Sequence, residues 1–204
     1  MKSFQQVISI LALVLLTTTI ACAPVKNLDI WKDETYNQRL QKTLVIAVTQ
    51  EEYIRKQYEN VLADQLREKG VEAIPSHQVL PQKTAELDRE AVLAKVRELG
   101  IRNVLLARSI GKQEITNHQY GGAFFAPTAV YADGWYSWYS GFVVYPEREV
   151  DTDYFTVAIN LFALGNNKPV WSYLSQVKVS GSRQEAVNKF VPILVAQLEK
   201  DELL

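Results

Sequence analysis

Between residues 43 and 110 the sequence alternates twice between a short apolar run and an amphipathic stretch closed by glycine, and this alternation constrains the fold more than any other feature. Residues 43–48, Thr-Leu-Val-Ile-Ala-Val, have the length and β-branched content of a buried strand. Thr49 and Glu52 are spaced as a capping box, in which two side chains satisfy backbone N–H groups at a helix start. Ile54, Tyr58, Val61, Leu62 and Leu66 then share one helical face, and Gly70 supplies a left-handed stop. Residues 71–76 read as the second strand. Asp88 opens the next helix, with Ala91, Val92, Val96 and Leu99 inward; Gly100 closes it, and residues 101–110 form the third strand. Arg67-Glu68-Lys69-Gly70-Val71 and Arg97-Glu98-Leu99-Gly100-Ile101 repeat one helix-end chemistry. Basic residues meet the negative end of the helix dipole, and glycine takes the left-handed position.

The C-terminal third has a period of two. Phe155, Val157, Ile159 and Leu161 share one side of a strand over 153–164, Gly-Asn-Asn-Lys-Pro at 165–169 is a turn by composition, and residues 170–180 return with Trp171, Tyr173, Val177 and Val179 on one face. Ser182 and Glu185 make a second capping box. The helix after it buries Val187, Phe190, Val191, Leu194 and Leu198, and Pro192 removes one of its backbone hydrogen bonds, so a kink is expected there. The predicted fold is a single α/β domain over 43–204, two- or three-layered, with a mixed sheet. Its order is β-α-β-α-β, then an aromatic insertion at about 117–150, then β-β-α.

Residues 1–21 have another character. Lys2, the apolar run 7–16 and a small-residue exit are the parts of an export signal, too short to cross a bilayer as a stable helix. Ile20-Ala21-Cys22 resembles the bacterial lipobox, which implies cleavage before Cys22 and lipid on its thiol. A cut after Ala23 also fits the small-x-small rule, through Ala21-Cys22-Ala23, and would discard Cys22. The chain has one cysteine, so an exported form has no disulfide for it to join. Two or three acyl chains anchor stably where one does not. Ala23 stands where the inner-membrane retention signal has Asp, which implies the outer membrane, periplasmic side.

Losing Lys2 from 22 basic residues leaves 21 against 23 acidic ones, a net charge of −2, which argues against nucleic acid as a partner. Residues 22–42, with Pro24 early and no sustained pattern, read as a lipidated N-terminus and tether, on which Leu28, Ile30, Trp31 and Tyr36 are available for docking.

The insertion carries Tyr120, Phe124, Phe125, Tyr131, Trp135, Tyr136, Trp138, Tyr139, Phe142 and Tyr145, which is 10 of the chain's 21 aromatic residues, and Asp133 is the only formal charge between Glu114 and Glu147. Such a segment either covers the sheet as core or is displayed. If displayed, the first nine of these are candidate contacts with a protein partner, with the membrane interface or, through Trp135, Tyr136, Trp138 and Tyr139, with cell-wall sugars. A pore-forming hairpin needs strict alternation, which is missing.

The element order, the lipobox and the Asn-Asn-Lys-Pro-Val-Trp turn at 166–171 resemble a group of small bacterial outer-membrane lipoproteins. Their fold is similar to the TolB N-terminal domain, the curli-secretion lipoprotein and the penicillin-binding-protein activator lipoprotein. The resemblance spans about 43–204 in element order and implies a non-enzymatic binding or assembly component of the envelope, anchored by lipid, with an envelope protein partner or self-association. The alternative is a periplasmic hydrolase or binder of cell-wall glycans. No catalytic, metal or cofactor motif supports an enzyme. His77 and His118 lack metal-ligand spacing, no G-x-S-x-G elbow precedes a helix, and Thr49-Gln50-Glu51-Glu52 puts carboxylates where a nucleotide fold binds phosphate. Glu51, Glu52, Asp88, Asp151 and Asp153 are accounted for as helix starts and solvated surface.

Overall fold

The computed structural model describes residues 25–49, 51–80, 89–110, 135–136, 154–165, 169–179 and 181–204. Six strands form one mixed sheet: β1 (Val25–Lys32), β2 (Lys42–Val48), β3 (Glu72–Pro75), β4 (Asn103–Ile110), β5 (Tyr154–Ala163) and β6 (Trp171–Lys178), in the order β1-β6-β5-β4-β2-β3. Among the described residues three longer helices accompany it, α1 (Glu52–Glu68), α2 (Arg89–Glu98) and α3 (Arg183–Lys200).

The topology follows from the double alternation. β3 and β4 both run parallel to β2, one on each side of it. A right-handed crossover to opposite sides of one strand sends the two connecting helices to opposite faces. Tyr58, Leu62 and Leu66 of α1 accordingly share a buried cluster with Val45, Ala47, Leu105 and Ala107, whereas Val92 and Val96 of α2 share another with Leu44, Ile46, Val104 and Leu106. β5 and β6 extend the sheet as the expected antiparallel hairpin, with Val157, Ile159, Leu161, Trp171, Tyr173 and Val177 facing the α1 side. There α3 packs Val187, Phe190, Val191, Leu194 and Leu198. The domain is therefore three-layered, one α/β unit.

Local expectations divide. Gly70 and Gly100 take φ of 85° and 65°, as the helix stops require. Ser182 caps α3, its hydroxyl accepting the Glu185 N–H at 3.2 Å. Thr49 does not cap α1: the N-cap residue is Glu51, whose own N–H reaches Thr49 Oγ1 at 3.3 Å, so the hydroxyl sits two residues ahead of the cap. Glu52 instead pairs with Lys56 at 3.1 Å. Ala91 is exposed, and Leu93 packs with Val92 and Val96 in its place. Pro192 lies inside α3, which continues past it to Lys200. Asp88 lies outside the described residues.

The main correction is at the N-terminus. Residues expected to be a tether include β1, paired antiparallel with β6 from Val25↔Val177 to Lys32↔Trp171, with a bulge between Asn27 and Asp29. This strand hides from pattern reading because it is an edge: only Val25 is buried, and the extra residue at Leu28 breaks the period of two. The link to β2 is tied down as well. Leu40 N–H donates to the Leu203 carbonyl at 2.8 Å, and Asn103 bridges it by donating to Tyr36 Oη at 3.2 Å and accepting from the Gln41 N–H at 3.2 Å. Asp201 closes the same end of the sheet. Its carboxylate accepts from Trp171 Nε1 at 2.7 Å and from Gln197 Nε2 at 2.9 Å, and its carbonyl accepts from Lys32 Nζ at 2.5 Å.

Candidate functional site

The register brings one end of each of the six strands to the same end of the sheet. Val25 opens β1 opposite Val177, Lys178 closes β6 opposite Tyr154, and Ile110, the last residue of β4, pairs with Thr156. Val48 at the end of β2 lies beside Arg108, and β3 ends at Pro75. The first described residue of the domain and both ends of the connection 111–153, which contains the aromatic segment, are thus gathered along a single edge. In open α/β sheets the carboxyl ends of the parallel strands are also where ligands bind.

The nine aromatic contact candidates are divided by what is described. Trp135 and Tyr136 lie on a helical turn, 4% and 7% exposed, ring centroids 5.9 Å apart and edge to face. Both belong to the α2-side cluster with Ala158, Phe162 and Leu174, so in this chain they are core. Tyr120, Phe124, Phe125, Tyr131, Trp138, Tyr139 and Phe142 lie outside the described residues, as do Cys22 and His118.

The polar constellation at this end was not predicted. Glu59 of α1, fully buried, accepts five hydrogen bonds. Oε1 takes the Ala47 N–H at 2.9 Å, Ser76 Oγ at 2.6 Å and Arg55 Nε at 3.2 Å; Oε2 takes the His77 N–H at 2.7 Å and His77 Nδ1 at 2.9 Å. Arg55, 3% exposed, spends its Nη2 on Ser76 Oγ at 3.0 Å and the Leu80 carbonyl at 3.3 Å. A buried carboxylate persists only when its charge and lone pairs are matched, and here they are. The network fastens α1 to β2 and to the 3₁₀ turn Ser76–Gln78 after β3. Ser76 donates to Glu59 and not to His77, so the three groups are not arranged as nucleophile, base and orienter. One sequence signal existed. Arg55, Glu59, Leu62 and Leu66 follow at steps of four, three and four, placing both charges on the buried stripe.

On the α1 side an aromatic row crosses three elements. Tyr58 stacks on Phe190 at 6.5 Å, Phe190 on Tyr173 at 6.4 Å and 3°, and Tyr173 on Trp171 at 5.8 Å. Burial raises the phenol pKa of Tyr173 to about 12 and pushes those of Tyr58 and Tyr36 up as well. Tyr173 Oη also donates to Asn27 Oδ1 at 2.5 Å, which pins β1.

Among the described residues no three His, Cys, Asp or Glu side chains converge as metal ligands, and no helix is long and apolar enough to cross a membrane. No protein-family model and no curated protein matches the chain. Among solved structures it is similar to two of the PelC dodecamer from Paraburkholderia phytofirmans. One, a point variant, gives 15% identity and a TM-score of 0.40; the other gives 16% and 0.41. Each match covers 83% of this chain and 94% of that one.

Proposed function

We propose that the protein is a lipid-anchored, periplasm-facing component of the outer membrane with a non-enzymatic binding or assembly role, held through Cys22. The observation that carries this reading is the position of β1. Cys22 precedes Val25 by three residues, a span of at most about 10 Å. A thiol lipidated at Cys22 therefore holds the domain against the bilayer and not at the end of a long tether. The sheet end that carries Val25 also sends out and receives the connection 111–153, so its aromatic segment leaves from the anchored side. A partner met there, an envelope protein or a second copy of the chain, is met next to the membrane.

The test is radiolabelled palmitate incorporation into the wild-type chain and Cys22→Ala, followed by membrane fractionation. Label in the wild type, none in the variant, and release of the variant from the membrane fraction are expected. Equal label in both overturns the anchor. Cross-linking in the intact envelope then identifies the neighbour, and recovery of the protein only as an uncrosslinked monomer speaks against an assembly role.

A further inference from the structure

Beyond the anchor itself, we propose that the corner of the sheet formed by Lys26, Tyr154 and Lys178 docks on anionic phospholipid headgroups; the inference rests on the lipid-anchored reading. Tyr154 and Lys178 are register partners at the ends of β5 and β6, and Lys178 Nζ lies 5.9 Å over the Tyr154 ring. Lys26 pairs with Gln176, two residues from Lys178 on the same strand face, and is exposed. Tyr154 is 47% exposed, second to Tyr53 among the large hydrophobic side chains of the described residues.

Three independent features select a lipid surface as the occupant. The first is place: Lys26 is four residues from Cys22, and Lys178 lies one residue beyond Val177, the register partner of Val25. The second is charge. Among the described residues on this face of β1, β5 and β6 the first carboxylate is Asp29, opposite Leu174 and so four residues along β6 from Lys178, away from the anchored end; Asp151 and Asp153, which precede Tyr154 in sequence, lie outside the described residues. The third is chemistry. A tyrosine with an apolar body and a wet tip suits the headgroup layer, and a lysine held over its ring keeps an ammonium at the depth of the phosphates. Each basic residue near an anionic leaflet changes the ratio of docked to undocked protein about fivefold, so two act together and yield to salt. The lipid fixes where the domain is, and the corner fixes which way it faces.

The experiment uses the mature lipidated chain, whose only natural cysteine is capped, so one introduced thiol takes a fluorophore uniquely. Labels at Gln176→Cys, beside Lys26 on the same face, and, at the opposite end, Lys200→Cys are compared in phosphatidylcholine vesicles with and without phosphatidylglycerol, using headgroup-borne quenchers. Stronger quenching at position 176 than at position 200, enhanced by phosphatidylglycerol and reversed by salt, is expected. Lys26→Glu with Lys178→Glu should bring position 176 to the level of position 200 while the protein still floats with the vesicles. Equal quenching at both positions, or no effect of charge reversal or salt, overturns the docking surface and leaves the anchor standing. Failure of the lipidated chain to float overturns both. The salt series on wild-type lysines reads the same contact without depending on how the double variant folds.

Discussion

One oxygen of Glu59, Oε2, accepts both the main-chain N–H of His77, at 2.7 Å, and its ring Nδ1, at 2.9 Å, so a fully buried carboxylate fixes the position and the tautomer of a histidine eighteen residues away. The other oxygen holds Arg55, Ser76 and Ala47. The turn after β3, the start of α1 and the end of β2 therefore share a single charge.

Removing that charge leaves the Arg55 guanidinium buried with Glu52, 3.9 Å away, as its remaining anion among the described residues. Glu59→Gln is expected to cost about 3–5 kcal/mol, read by urea denaturation, because an uncompensated buried charge is worse than a missing pair. Arg55→Met combined with Glu59→Leu should cost less than the single change. A double variant as unstable as Glu59→Gln would place the cost in the lost hydrogen bonds and not in the orphaned charge.

The phenols make stability fall at alkaline pH. An unfolded tyrosine loses its proton near pH 10, while Tyr173 holds its own to about pH 12, and Tyr58 and Tyr36 shift in the same direction. Between these limits the folded chain binds more protons than the unfolded one, so unfolding becomes easier as pH rises through that window. The contribution is intact below pH 10 and lost above the folded value. Tyr173→Phe, which also gives up the bond to Asn27, should flatten part of the decline in a series of melts taken from pH 9 to 12. An unchanged slope would remove Tyr173 from the account.

How much was legible turns on whether a local signal and its tertiary surroundings agree. Gly70, Gly100 and Ser182 answer to backbone geometry, which nearby residues determine, and each does what the sequence says. Thr49 carries the same signature as Ser182, yet the chain leaving β2 turns so that its hydroxyl meets Glu51. Arg55 and Glu59 share the period of the buried stripe, but the partners that hold their charges there, Ala47, Ser76 and His77, lie 12 to 21 residues away, so no local pattern names them. β1 is invisible to periodicity since an edge strand with a bulge buries little, and its partner β6 lies about 145 residues away.

That contrast is measurable. Ser182→Ala should lower stability by about 1 kcal/mol, the usual worth of an N-cap hydroxyl. Thr49→Ala should cost no more than about 0.5 kcal/mol, as for a surface change outside a cap. Reversal of the two in chemical denaturation would mean that α1 and not α3 depends on its capping hydroxyl.

The burial of Trp135 and Tyr136 changes what a deletion of the aromatic segment can report. If all ten rings were displayed, removing residues 121–145 would leave the domain intact and abolish only a contact. With two of them packed among Ala158, Phe162 and Leu174, the deletion opens the α2-side core, and loss of folding follows whether or not the other rings bind anything. Point changes separate the roles. Trp135→Ala is expected to cost about 3–5 kcal/mol, the range for emptying a buried aromatic site, with Tyr136→Ala also destabilising. Trp138→Ala and Tyr139→Ala, measured by the same unfolding curves and by cross-linking yield in the envelope, then isolate any contact role. A Trp135→Ala variant within about 0.5 kcal/mol of wild type would return that ring to the surface and restore the whole segment as one candidate interface.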